Sequence, residues 1–156
     1  GCDLNRDFLR PSQTETRSLI TYLEPLKSYD LSICLHEDWE ATGFYLYCLG
    51  DATAKRIADE AVAAIGPMGP IDRAEQIDGY ESAEGVIYRP DPLDVTERED
   101  WPEAFYLYSK SQHMHFTLET PSGFPLGQRI RMHTLAVRTI LDRFLSPTAP
   151  FDSLSK

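Results

Sequence analysis

The sequence has few cysteines, no long apolar run and a deficit of positive charge. Cys2, Cys34 and Cys48 are odd in number and show no C-x-x-C spacing, which speaks against a disulfide framework and a cysteine-based zinc ribbon. Cys34 lies inside an apolar run and reads as a core residue, and unpaired cysteines point to a reducing, cytoplasmic setting. No stretch approaches the roughly 18 consecutive apolar residues of a transmembrane helix. A net charge of −10 disfavours nucleic acid and anionic membrane surfaces, because nonspecific affinity for both comes from Lys and Arg. There is no G-x-S-x-G elbow, H-E-x-x-H pair, Walker loop or G-x-G-x-x-G turn.

What is present is ordinary globular chemistry. The 156 residues are 42% hydrophobic and 26% charged, enough for one folded domain with a real core. The opening Gly1-Cys2-Asp3-Leu4-Asn5-Arg6-Asp7-Phe8 has no Met, no leader pattern and no leading element. It reads as the middle of a longer chain.

Ser12 and Glu15 have capping-box spacing ahead of Leu19, Ile20 and Leu23, which predicts a helix from about Ser12 to Glu24, stopped by Pro25. Leu31–His36 is a short apolar run and predicts a central strand; Gly43–Leu49, rich in aromatics, predicts a second. Asp51 can cap a helix to about Ile65, with Ile57, Ala61, Ala64 and Ile65 on one face, ended by Gly66-Pro67. The stretch from Ile71 to Asp100 is less regular. Six acids between Asp91 and Glu103, against Arg98 alone, read as a solvated surface loop. Pro102 opens a short helix to Tyr108, and Gln112–Glu119 alternates as a strand. Pro125 opens the longest helix, to about Leu145, with a stripe of Leu126, Ile130, Val137, Ile140, Leu141 and Phe144. The tail from Ser146 is polar and reads as frayed. Helices alternating with short apolar strands predict an α/β fold, with a mixed, largely parallel sheet flanked by helices.

In open α/β sheets ligands gather at the carboxyl ends of strands. His36 ends one strand and shares a face with Cys34 and Ser32; Glu119 ends another and shares a face with His113, His115 and Thr117. A His and a Glu at two strand ends make a metal-and-base pair. His113 and His115 read as facing solvent or a partner element, and Trp39, Phe44, Tyr45 and Tyr47 as core rather than recognition residues.

Three segments occur in order: Asp3-Leu4-Asn5-Arg6-Asp7-Phe8, then Leu35 through Tyr47, then Phe116-Thr117-Leu118-Glu119-Thr120-Pro121-Ser122. In this the chain resembles the zinc carboxypeptidase family, in particular its bacterial branch related to the succinylglutamate desuccinylases and aspartoacylases. The resemblance covers essentially the whole chain but only the C-terminal part of such a catalytic domain. It implies a metallocarboxypeptidase that hydrolyses a peptide or amide bond next to a free carboxylate, on a peptide or N-acyl amino acid substrate. Asn5 and Arg6 match the pair that grips the substrate carboxylate, His36 the last zinc ligand, and Glu119 the general base. The chain departs from the family pattern in three places. Asp7 stands where Asn is common, adding a negative charge that could orient Arg6 or weaken its hold. The H-x-x-E motif that supplies the first two zinc ligands is absent, as is a further upstream pocket Arg. The family's phenolic Tyr has two candidates here, Tyr80 and Tyr88, and neither sits in a matching motif. A second class remains open: a metal-free α/β module that binds a carboxylate ligand or a partner protein.

Overall fold

The computed structural model describes residues 2–26, 28–90, 99–111 and 114–146. The acidic segment 91–98, Gln112 and His113, and the tail from residue 147 lie outside the described residues.

After a 3-10 turn at Leu4–Arg6, helix α1 spans Thr14–Leu23. Strand β1 (Ser32–Asp38) and strand β2 (Tyr45–Gly50) precede helix α2 (Ala52–Ile65). A small hairpin, β3 (Gln76–Ile77) with β4 (Tyr80–Glu81), leads to strand β5 (Val86–Arg89). Helix α3 (Glu103–Ser111), strand β6 (Met114–Pro121) and helix α4 (Leu126–Leu145) complete the order. Thus the irregular stretch after Ile71 hides a sheet strand, β5, whose four residues are too few for periodicity to register.

The main sheet runs β1-β6-β2-β5. The β1–β6 and β2–β5 ladders are parallel and β6–β2 is antiparallel, so the sheet is mixed and largely parallel, as the pattern predicts. Strand β6 sits inside and is buried along its whole length. Phe116 and Leu118, both fully buried, point to the face covered by α2 and α4, where Leu46, Cys48, Ile57, Met132 and Ile140 join them. Each such side chain contributes roughly 1.5–3 kcal/mol by leaving water. On the opposite face, α1 and α3 close over Phe8, Cys34, Tyr106 and Leu107.

Local signals act as their chemistry dictates at α2, where the Asp51 carboxylate accepts from the Thr53 and Ala54 amides at 2.9 and 3.0 Å. At α1 they do not. Its N-cap is Gln13 with no side-chain cap bond, and the Ser12 hydroxyl donates instead to Asp7 at 2.9 Å. The capping box predicted there is therefore not formed, because a carboxylate six residues before Gln13 in the chain takes the free amides first.

The α4 stripe also shifts. Val137, Ile140 and Phe144 meet the core as predicted, joined by Met132 and Ala136, whereas Leu126, Ile130 and Leu141 of the stripe are exposed, as is Leu145. Both rows are apolar at helical spacing; the alanine face of α2 (Ala54, Ala58, Ala61) lies in the same core and selects the first.

Gly43 is required by close approach. A Cβ there would lie 2.5 Å from the Asp72 amide nitrogen and 2.8 Å from the Pro70 carbonyl. The bonds Phe44 N–H to Pro70 O (2.9 Å) and Asp72 N–H to Phe44 O (3.0 Å) then hold residues 70–72 beside the start of β2. Among the described residues, no helix is long and apolar enough to cross a membrane.

Candidate active site

Parallel pairing of β1 with β6 places His36 opposite Glu119, at the carboxyl ends of adjacent strands. His36 Nδ1 lies 3.5 Å from Glu119 Oε1, and the other ring nitrogen, Nε2, lies 4.0 Å from Glu103 Oε2. The imidazole thus stands between two carboxylates. Glu119 is 8% exposed, because β6 is interior. Glu103 was expected in the solvated acidic loop; it is instead half-buried in the first turn of α3, against the site. No sequence pattern marks it, since its proximity depends on how α3 lies across β1.

The amino-terminal segment reaches the same place. The Asn5 side-chain oxygen accepts from the Glu103 backbone N–H at 2.8 Å, joining this segment to α3 and leaving the Asn5 amide nitrogen as its donor. Arg6 is exposed, with Nη1 donating to the Asn5 carbonyl at 3.0 Å. Asn5, Arg6, His36 and Glu119 all line one cavity of about 590 Å³. Asp7, offered by the sequence as a charge beside Arg6, accepts from the Ser12 and Gln13 amides at 2.9 Å. Those amides hold its carboxyl down at about 2 and turn it towards the start of α1, so it does no work as an Arg6 partner.

The cavity also takes in Tyr45 and Tyr47, which the sequence reads as core, and Tyr80. Tyr45, Tyr47 and Tyr80 form edge-on aromatic contacts at 5.7 and 6.3 Å between ring centroids. The Tyr45 hydroxyl donates to Asp38 at 3.1 Å and that of Tyr47 to Asp78 at 2.9 Å. Burial holds both phenols above their ordinary range, so both remain protonated donors. Of the two tyrosines weighed from the sequence, Tyr80 lines the cavity with Tyr45 and Tyr47, whereas Tyr88 packs against the core on the other face. Arg89 also lines the cavity, with its guanidinium 4.8 Å from the Tyr80 ring centroid. Trp39, expected in the core, is 80% exposed at the rim, and of the four aromatics read as core only Phe44 is fully buried there without lining the cavity.

His115 is not solvent-facing. It is fully buried behind Glu119, with Nδ1 2.7 Å from the Ser32 hydroxyl and Nε2 2.8 Å from the Thr117 hydroxyl. Burial pushes its pKa down to about 3, so it is neutral. His36 goes the other way: contact with the Cys34 sulfur, then with Glu103 and Glu119, outweighs desolvation and holds the ring well above its ordinary value. The Cys34 thiol is pushed up by burial.

The mixed α/β sheet that carries this pair is shared with solved metallopeptidase structures. A candidate metallopeptidase from Shewanella amazonensis is 25% identical over 85% of this chain and 48% of its own, with a TM-score of 0.69. A candidate metallopeptidase from Shewanella denitrificans, 21% identical, has a TM-score of 0.73 over 92% of this chain and 52% of its own. A metallo-carboxypeptidase from Burkholderia cenocepacia shares the fold at 15% identity and TM-score 0.50, covering 92% of this chain and 39% of its own. This chain spans about half the length of the first two structures. No protein-family model matches the chain, and no curated protein does.

The metallopeptidase neighbours suggest a metal, and an imidazole facing the cavity with a carboxylate 3.5 Å away is donor chemistry that suits one. Of the two-His-one-Glu ligand set that the sequence resemblance implies, His36 is the residue this sequence offers.

Proposed function

We propose that these residues form the C-terminal part of a single zinc carboxypeptidase-like catalytic domain, which hydrolyses a peptide or amide bond next to a free carboxylate. The observation that carries this reading is the in-register pairing of His36 with Glu119 above a cavity that Asn5 and Arg6 also line. The exposed α4 row and Leu35, 55% exposed on edge strand β1, support a longer protein whose preceding segments cover them.

Arg6 takes the substrate carboxylate through its guanidinium fork, and the Asn5 amide adds a neutral donor. That anchor sets the scissile amide over His36 and Glu119. His36 is one of the metal's ligands, and the chemistry zinc supplies when bound is polarisation of the amide carbonyl and a lowered pKa for water. Glu119 takes the proton of the attacking water and passes it to the leaving amine. The Tyr45 and Tyr80 rings line the same cavity and offer apolar wall to the substrate.

The test is turnover of carboxyl-terminal peptides and N-acyl amino acids by this chain completed with an upstream segment that supplies an H-x-x-E. Glu119→Gln should lower kcat about 10²–10⁴-fold with KM nearly unchanged, the range for loss of a general base. Substrates with an amidated carboxyl end should bind poorly to the parent protein, and equally to parent and Arg6→Ala. Unchanged turnover in Glu119→Gln, with carboxylate binding intact, would leave the metal-free binding module as the reading.

A further inference from the structure

We infer that the Thr117 hydroxyl, aimed by the buried His115 behind it, selects the side chain of the substrate, and that it takes an uncharged hydrogen-bonding one, a carboxamide or a hydroxyl. The inference rests on the functional proposal, since it takes the cavity of Asn5, Arg6, His36 and Glu119 as the substrate site and names the class of residue held there.

Alternation along β6 puts His115, Thr117 and Glu119 on one face, and all three line the cavity. Thr117 stands roughly 7 Å along the strand from Glu119, within reach of a side chain that starts beside the scissile amide. Thr117 is buried, so a polar group that meets it gives up water and needs a hydrogen bond in return. Opposite it in register is Tyr47, whose hydroxyl donates to Asp78 at 2.9 Å. Arg89 lines the cavity one row further on, opposite Leu49. The wall thus carries a charge of each sign. A carboxylate side chain meets Asp78 and an ammonium meets Arg89, and each like-charge approach is costly, whereas a neutral polar group avoids both.

What the hydroxyl offers is set by the ring. His115 Nδ1 lies 2.7 Å from the Ser32 hydroxyl and Nε2 lies 2.8 Å from that of Thr117. A neutral imidazole has one N–H and one lone pair, and a hydroxyl has one O–H and two lone pairs. With the proton on Nε2, Ser32 donates to Nδ1, the ring donates to the Thr117 oxygen, and the Thr117 O–H turns to the cavity as a donor. With the proton on Nδ1, Ser32 accepts, Thr117 donates to Nε2, and the Thr117 oxygen faces the cavity as an acceptor. The two forms differ by one proton moved between the ring nitrogens, with no change of charge, and both keep the two bonds to the ring. The cavity wall at Thr117 therefore meets a donor or an acceptor equally well, which suits a carboxamide or a hydroxyl. An apolar side chain leaves the hydroxyl without that bond.

The experiment is NMR titration of the 156-residue chain, carrying isotope-labelled histidine, with the N-acetyl derivatives of glutamine, methionine sulfoxide, methionine and glutamate. Their side chains are of near-equal length; the first both donates and accepts, the second only accepts, the third does neither strongly and the fourth is charged. N-acetylglutamine should bind about 3–10-fold more tightly than N-acetylmethionine, the range for one net hydrogen bond. Thr117→Val, with circular dichroism showing the fold retained, should bind the two equally. The sulfoxide should move His115 to the Nε2–H form in the parent chain, and N-acetylmethionine should not. Equal binding of the glutamine and methionine derivatives by the parent, tighter binding of the glutamate derivative, a preference that survives in Thr117→Val, or a ring unmoved by the sulfoxide overturns the inference. The ligand comparison and the ring signal in the parent decide it even where Thr117→Val fails to fold. Failure of the functional reading shows separately, as N-acetylglutaminamide bound as tightly as the free acid. Binding of none of these ligands overturns both.

Discussion

Lowering the pH below neutral should destabilise the fold through one buried ring, His115. The folded chain holds its imidazole neutral, fully enclosed and bonded to the Ser32 and Thr117 hydroxyls, with a pKa of about 3. In the unfolded chain the same ring titrates near 6.5. Between those values the unfolded state binds the extra proton, so the stability from a neutral His115 is complete above about 6.5 and is lost as pH falls. The slope is about 1.4 kcal/mol per pH unit, or tenfold in the folding constant. From pH 6.5 to about 4.5 the loss reaches about 2–3 kcal/mol, a large share of an ordinary domain's 5–15 kcal/mol. Other groups separate cleanly in this window. His36 is raised, so its contribution is present below its unfolded value and lost only towards alkaline pH. Asp7 is lowered to about 2 and enters only below about pH 4. His133 is lowered as His115 is, but it is common to both proteins compared. The assay is urea unfolding at pH about 7, 6, 5 and 4.5 for the parent chain and for His115→Gln, whose amide can still bridge the two hydroxyls. The variant should lose most of the acid slope whatever its absolute stability. Parallel pH profiles for the two proteins would refute the assignment.

Three further outcomes are expected. Gly43→Ala should destabilise by about 1–3 kcal/mol, since its Cβ would meet backbone of Ile71 and Asp72 that cannot retreat; thermal melts check this. Phe116→Ala, at a fully buried interior position of β6, should cost about 3–5 kcal/mol in urea midpoints analysed at constant m. Asp7→Ala should lower the melting temperature at neutral pH and flatten the acid limb below about pH 4, because a depressed carboxyl stabilises above its unfolded value and loses that effect as it protonates. A profile unchanged between about pH 4 and 2 would show that the Ser12 and Gln13 amides do not hold that carboxylate.

Much of this molecule was legible where the determining interactions are local. Asp51 sits two and three residues before the amides it caps, and Phe116 and Leu118 alternate with Thr117 and Glu119 along one strand, so both patterns show in the chain itself. The α1 start was misread because Asp7, distant enough to escape a capping template, competes for the same amides. The fate of the α4 rows depended on which one α2 would meet. Glu103 looked like one acid among six until α3 was laid across β1.

By itself, then, the sequence determined the longer helices, three of the four strands of the main sheet and the presence of a His and a Glu at two strand ends, because backbone periodicity acts over a few residues. Only the tertiary structure decided that β1 and β6 lie side by side in the register that sets His36 against Glu119. It also brought Asn5 to the α3 terminus and Glu103 to the ring. Pairing register and layer choice are settled by packing between segments far apart in the chain, and no local spacing encodes them.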